Sequence, residues 1–180
     1  MNVENAIVEH YTNGARERVE ELCCPIDYDV SLLKILSQEV INRDYGCGDP
    51  LRYAQEGDVV LDLGSDSGRI CYMAAQLVGK SWCVIGVDMN DDMLTMARKY
   101  QQEMTEKIGG NRVEFIKGHI QDLLLSTVVV HEYLTNNAIT DTDSLSAFEQ
   151  WKLEYQQSSP MIADNSVDLV IIKLCPESGE

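Results

Sequence analysis

Positive charge is scarce in this chain. Fourteen lysines and arginines face thirty aspartates and glutamates, and the formal net charge is -16. A surface of that sign repels nucleic-acid phosphates and anionic membranes, so neither is an expected partner. No run approaches the roughly 20 apolar residues that span a bilayer. The opening Met1-Asn2-Val3-Glu4-Asn5 is acidic and lacks the basic and apolar regions of a secretory signal. A cytoplasmic location is therefore expected. Paired CxxC and HxxxH spacings are also missing, which excludes a zinc ribbon or finger. His10, His119 and His131 lie too far apart in sequence to make a metal signature. Internal repeats and low-complexity tracts are absent.

Six cysteines are present, at positions 23, 24, 47, 71, 83 and 175. In a reducing compartment they are thiols rather than structural disulfides. Cys71 and Cys83 fall inside apolar helix and strand patterns and read as small core residues. With 180 residues, 44% of them hydrophobic, the chain can bury one core but not two comfortable domains.

Residues 4–22 carry charges on most turns and read as a helix, ended at Cys23-Cys24-Pro25 because the residue before proline is pushed away from helical geometry. Leu32, Leu33, Ile35, Leu36, Val40 and Ile41 predict a second helix over 30–42. Residues 45–50 form a loop on glycine and proline grounds. Strands and helices then alternate: strand 59–63, helix 69–78, strand 82–88, helix 91–106, strand 113–116 and, after a long connection, strand 167–172. Asn90 is the expected N-cap of the 91–106 helix, with Asp91 and Asp92 at its positive end. Its apolar stripe is Met93, Leu94, Met96, Ala97 and Tyr100. In the long connection, 123–133 fits a strand or a helix, and Asp143 or Ser144 caps a helix reaching to about Gln157.

This order predicts an α/β fold: a Rossmann-like, doubly wound, mainly parallel sheet wrapped by helices. Such sheets usually continue past a fourth strand, so the sheet is expected to be incomplete at the C-terminus. The expected organisation is an N-terminal helical segment with cysteine loops (1–50) and a partial Rossmann-like domain (51–180), together one structural unit.

The most informative stretch is Val59-Val60-Leu61-Asp62-Leu63-Gly64-Ser65-Asp66-Ser67-Gly68-Arg69. A buried strand runs into a tight turn of small residues, and a helix begins at about Gly68. Such a unit brings backbone N–H groups and a close-approach surface to a nucleoside-containing cofactor. Asp88 ends the next apolar run, 20 residues after Gly68, where a ribose-binding carboxylate is expected. Asp62 and Asp66 would repel a pyrophosphate, which disfavours a dinucleotide. A cofactor carrying an ammonium and a sulfonium, such as S-adenosylmethionine, suits an acidic loop. A purely structural turn, with Asp88 as a strand-end cap, is the competing reading.

These motifs resemble those of the class I S-adenosylmethionine-dependent methyltransferases and, within them, the arsenite methyltransferases. The resemblance is carried by Leu22-Cys23-Cys24-Pro25, by Asp44-Tyr45-Gly46-Cys47-Gly48-Asp49-Pro50 and by the loop from Val60 to Ser65. It continues through Gly68-Arg69-Ile70-Cys71-Tyr72, Gln76-Leu77-Val78-Gly79, Val84 to Leu94, and Asn165 to Ile171. The Tyr-Gly-Cys-Gly loop and the cysteine pair are far more specific than the glycine loop.

The resemblance implies a site, residue by residue. Gly64, Ser65 and Gly68 would line the methionine end of S-adenosylmethionine, Asp62 would face its ammonium, and Asp88 would accept both ribose hydroxyls. Met89 would pack on the adenine, and the backbone around His119-Ile120 would flank the base edge. Arsenite or methylated arsenicals would be held by thiolates from Cys23 or Cys24 (Cys24 preferred), Cys47 and the Cys175 region, since soft metalloids select sulfur. A thiol reductant, glutathione or thioredoxin, is the implied co-reactant, and a partner chain or dimer could complete the sheet. The sequence departs from the family at Asp66, which replaces the middle loop glycine. It departs again at Leu174, which stands at the spacing of a family cysteine, one position before Cys175. Another small-molecule methyltransferase of the same fold, and a non-catalytic binding domain, are the alternative readings.

Overall fold

The computed structural model describes residues 29–42, 49–80 and 83–172. Four parallel strands form one sheet: β1 (Val60–Leu63), β2 (Val84–Asp88), β3 (Val113–Lys117) and β4 (Leu169–Ile172). Their spatial order is β3-β2-β1-β4. β1 pairs with β2 in the register Val60 to Val84 and Asp62 to Gly86, and with β4 in the register Val60 to Leu169. Parallel neighbours need helical crossovers to return the chain, and the expected α/β alternation supplies them. No helix among the described residues is long and apolar enough to cross a membrane.

Helix α3 (Arg69–Leu77), numbered after two short helices upstream, lies against the sheet with residues 69–75 all buried. The Tyr72 ring meets Phe115 of β3 edge-on, centroids 5.6 Å apart. Its hydroxyl donates to the Ala97 carbonyl at 2.6 Å, and burial pushes its pKa well above the usual tyrosine range.

That hydroxyl explains one departure from expectation. The helix expected over 91–106 is two helices, α4 (Asp91–Lys99) and α5 (Gln101–Ile108), joined at Tyr100 with φ -99° and ψ 1°. The Ala97 carbonyl accepts both the Tyr72 hydroxyl and the Tyr100 N–H, the latter at 3.4 Å. A side-chain donor inserted into the helical ladder bends it. Asn90 caps α4 as expected, accepting from the Asp92 and Met93 N–H groups.

The helix expected over 30–42 also divides, into α1 (Val30–Leu33) and α2 (Gln38–Asn42). Ser37 accepts from the Val40 N–H and so starts a new helix. The ambiguous 123–133 stretch yields a helix, α6 (Thr127–Asn136). Ser126 accepts from the Val128 N–H and donates to the Lys117 carbonyl. This capping overrides the strand preference of the Thr127–Val130 run. Helix α7 (Thr142–Ser158) is capped by Asp141, not by Asp143 or Ser144. Asp141 and Ser144 form a reciprocal capping box in which Ser144 is the third helical residue. Tyr133 of α6 stacks on Trp151 of α7, centroids 4.1 Å apart.

The upstream helices and the residues that link them join the main core through Leu36 and Val40. Their backbone carbonyls are taken by downstream side chains: Leu32 by Gln76, Ile35 by Lys107, Val40 by Ser67 and Ile41 by Arg69. The helix expected over 4–22 lies outside the described residues.

Candidate functional site

The candidate site lies at the carboxyl ends of β1 and β2. From β1 the sheet continues to β2 on one side and to β4 on the other, so the strand order reverses there. Ligands of open α/β sheets bind at such a switch point.

The loop after β1 is held by short backbone bonds. The Gly64 and Ser65 N–H groups both donate to the Val87 carbonyl, at 2.8 and 3.1 Å, and the Gly68 N–H donates to the Ser65 carbonyl at 2.9 Å. Gly64 and Gly68 are left-handed, with φ +76° and +82°. The two glycines serve different ends. A Cβ on Gly64 would meet nothing within 4 Å, so the backbone there faces open space. A Cβ on Gly68 would lie 2.6 Å from Phe115 Cζ, so this glycine lets α3 approach the sheet. Asp66, at the position of the expected middle glycine, is itself left-handed at φ 47°. Aspartate is among the few residues that tolerate this region.

Asp88 closes the other side. It is 7% exposed; its Oδ2 accepts the Asp66 N–H at 2.9 Å and its Oδ1 accepts the Asn90 N–H at 2.8 Å. The strand-end role foreseen as a competing reading is therefore present, and it organises the loop as well. Asp62 is fully buried in β1, and the Cys71 thiol of α3 donates to its Oδ2 at 3.4 Å. The Ser65 side chain is fully buried, and its Oγ has no hydrogen-bond partner among the described residues. The β2–β3 register sets Asp88 opposite Lys117, and the Gly118 N–H donates to the Asp88 carbonyl. The turn starting at His119 thus leaves the sheet beside Asp88. Met89 and His119 are half-buried and Ile120 is exposed.

The structure thereby brings Asp62, Gly64, Ser65, Gly68, Asp88, Met89, His119 and Ile120 to adjoining segments at one end of the sheet. Cys23, Cys24, Cys47 and Cys175 lie outside the described residues. Cys71 is buried, as expected. Cys83 is only half-buried, and burial, with the Glu114 charge adding to it, pushes its thiol pKa up and disfavours the thiolate. Among the described residues no group of three or more His, Cys, Asp or Glu could hold a metal ion.

Three contributors escaped the sequence reading. Gly86 of β2 is one: a Cβ there would lie 2.8 Å from Phe115 Cδ1 and 2.9 Å from both Cys71 Sγ and Ser65 Cβ. Its place inside an apolar strand was the available signal. Ser67 and Arg69 are the second, tying the loop to α2 through the Val40 and Ile41 carbonyls. Met161 is the third; its Sδ would lie 2.7 Å from a Cβ on Gly118. Nothing in the local sequence marks that contact.

A Rossmann-like parallel sheet with a glycine-bearing loop after β1 and a carboxylate ending β2 defines the nucleoside-cofactor class of α/β proteins. The chain matches the methyltransferase domain model over residues 54–150 and belongs to that family. It is similar to the arsenite methyltransferase of Aquipseudomonas alcaligenes, 45% identical over 105 residues, 56% of this chain and 30% of that protein. It is also similar to the human arsenite methyltransferase, 42% identical over 93 residues, 51% of this chain and 25% of that protein. The chain thus matches less than a third of the length of these curated relatives. Among solved structures it resembles an arsenic(III) S-adenosylmethionine methyltransferase from Chlamydomonas reinhardtii. That likeness has a TM-score of 0.53 at 30% identity and covers 83% of this chain and 40% of the other.

Proposed function

We propose that this protein transfers a methyl group from S-adenosylmethionine to trivalent arsenic held by cysteine thiolates. The observation that carries the cofactor reading is the Asp88 carboxylate bonded to the Asp66 N–H beside the open face of Gly64. The residues present fit the group. Acidic side chains suit its ammonium and sulfonium charges, and the Gly64 backbone admits close approach. A carboxylate has about four acceptor positions, so holding the loop and accepting ribose hydroxyls are compatible duties for Asp88. Asp62 would pair with the ammonium, Gly64, Ser65 and Gly68 would line the methionine end, and Met89 with the His119-Ile120 turn would flank the base.

When bound, S-adenosylmethionine supplies an electrophilic methyl group on a sulfonium. Support for arsenic as acceptor comes from the arsenite methyltransferases at 45% and 42% identity and from Cys23, Cys24, Cys47 and Cys175 as thiolate candidates. Arsenic(III) bound by sulfur retains a lone pair, so the protein's task is to align two bound groups rather than to move a proton. Glutathione or thioredoxin as reductant, a cytoplasmic location, and residues 1–50 and 51–180 acting as one unit belong to the same proposal.

The test is a calorimetric titration of the full chain with S-adenosylmethionine in reducing buffer, followed by arsenite and chromatographic product analysis. Saturable one-site binding and methylated arsenicals are expected. Methylation of organic acceptors with none of arsenite would sink the arsenic assignment; a folded chain that takes no cofactor would sink the whole reading.

A further inference from the structure

Cys71 lies on the first turn of α3, behind the loop, with no exposed surface. Its Sγ is 3.4 Å from Oδ2 of Asp62, which is equally buried. The pairing is shaped from the sheet side. Gly86 stands opposite Asp62 in the β1–β2 register, and a Cβ on it would reach within 2.9 Å of the Cys71 sulfur. Glycine at that place lets the thiol sit against the carboxylate. A carboxyl group with no exposed surface needs hydrogen-bond partners within the fold, and the Cys71 thiol is one.

We propose that Cys71 is a positioning residue for cofactor binding: its thiol holds the Asp62 carboxylate in the orientation that receives the α-ammonium group of the cofactor. The inference rests on the S-adenosylmethionine reading above. It separates the cysteines by task. The contact of its thiol with Asp62 assigns Cys71 to the cofactor side.

The test compares two ligands on the full chain by calorimetry. S-adenosylhomocysteine carries the α-ammonium; 5′-methylthioadenosine keeps the nucleoside and lacks the amino acid. Cys71→Ala is expected to weaken S-adenosylhomocysteine about tenfold and to leave 5′-methylthioadenosine within about twofold. Cys71→Ser, which keeps a donor, restores most of the loss. Should Cys71→Ala fail to fold, Cys71→Val, which retains bulk and drops the donor, carries the same comparison. Equal losses for both ligands would mean a packing role and overturn the inference, as would unchanged affinity for S-adenosylhomocysteine. Wild-type protein that binds neither ligand overturns the cofactor reading and this inference with it. Wild-type binding with an indifferent variant overturns this inference alone.

Discussion

The Asp66 backbone N–H donates to Oδ2 of Asp88 at 2.9 Å, joining the loop after β1 to the last residue of β2. One carboxylate thereby orders the loop and, through Oδ1 and the Asn90 N–H, the entry into α4. Replacing Asp88 by alanine should loosen both. We expect S-adenosylmethionine affinity to fall at least about tenfold, because a hydrogen bond to a charged group is worth roughly 1.5–3 kcal/mol. Calorimetry checks this, with circular dichroism to confirm that the sheet survives. An alanine variant that binds normally would remove Asp88 from the site.

Asp66 is the position where this chain departs from a glycine loop, and its φ of 47° retains the glycine conformation. Asp66→Gly should therefore leave the fold intact and alter stability by no more than about 1 kcal/mol. Asp66→Val should destabilise by about 1–3 kcal/mol, since a β-branched residue in the left-handed region is strained. Urea denaturation of both variants decides it; equal stability would mean that the loop adopts another conformation.

Gly68→Ala should be among the more damaging single changes in the cofactor segment. The added Cβ would sit 2.6 Å from Phe115 Cζ and 3.2 Å from Ala97 Cβ, at a φ of +82°. Overpacking and backbone strain each cost about 1–3 kcal/mol. The readout is the urea midpoint, and Phe115→Leu in the same chain should recover part of the loss by relieving the contact.

Ser67→Ala tests the tie between the loop and α2. The buried Ser67 hydroxyl donates to the Val40 carbonyl at 3.1 Å. Leaving that carbonyl unsatisfied should cost about 1–3 kcal/mol. Amide exchange should quicken most in residues 38–42; uniform protection across the chain would count against the tie.

Acid should fray the start of α7. The Ser144 N–H and hydroxyl bonded to Asp141 hold its carboxyl below the usual carboxylate range. A depressed folded-state pKa stabilises the helix while the group is charged, and that contribution is lost as pH falls below about 4. Exchange at the Ser144 amide should accelerate there. Asp141→Asn, a comparable cap without a titrating proton, should abolish the dependence.

Much of the architecture was legible locally. Apolar runs of strand length, separated by helical patterns and small-residue turns, determined the parallel α/β order. Cap chemistry at Asn90 was readable because it acts within a few residues of chain, and the acid ending β2 because the apolar run it closes marks its place. The glycine loop was likewise visible, since its left-handed positions require particular residue types.

The tertiary structure decided what depends on partners far along the chain. The break at Tyr100 follows from a hydroxyl 28 residues earlier, on Tyr72. The helical state of the Thr127–Val130 run follows from Ser126, which donates to the end of β3. Why Gly68 and Gly86 lack side chains is answered by the Phe115 ring, joined at Gly86 by Cys71 and Ser65, and why Cys71 is more than a core filler is answered by Asp62. Periodicity and turn chemistry are short-range forces and can be read from neighbours. Close packing and buried hydrogen bonds join residues that only the folded sheet brings together.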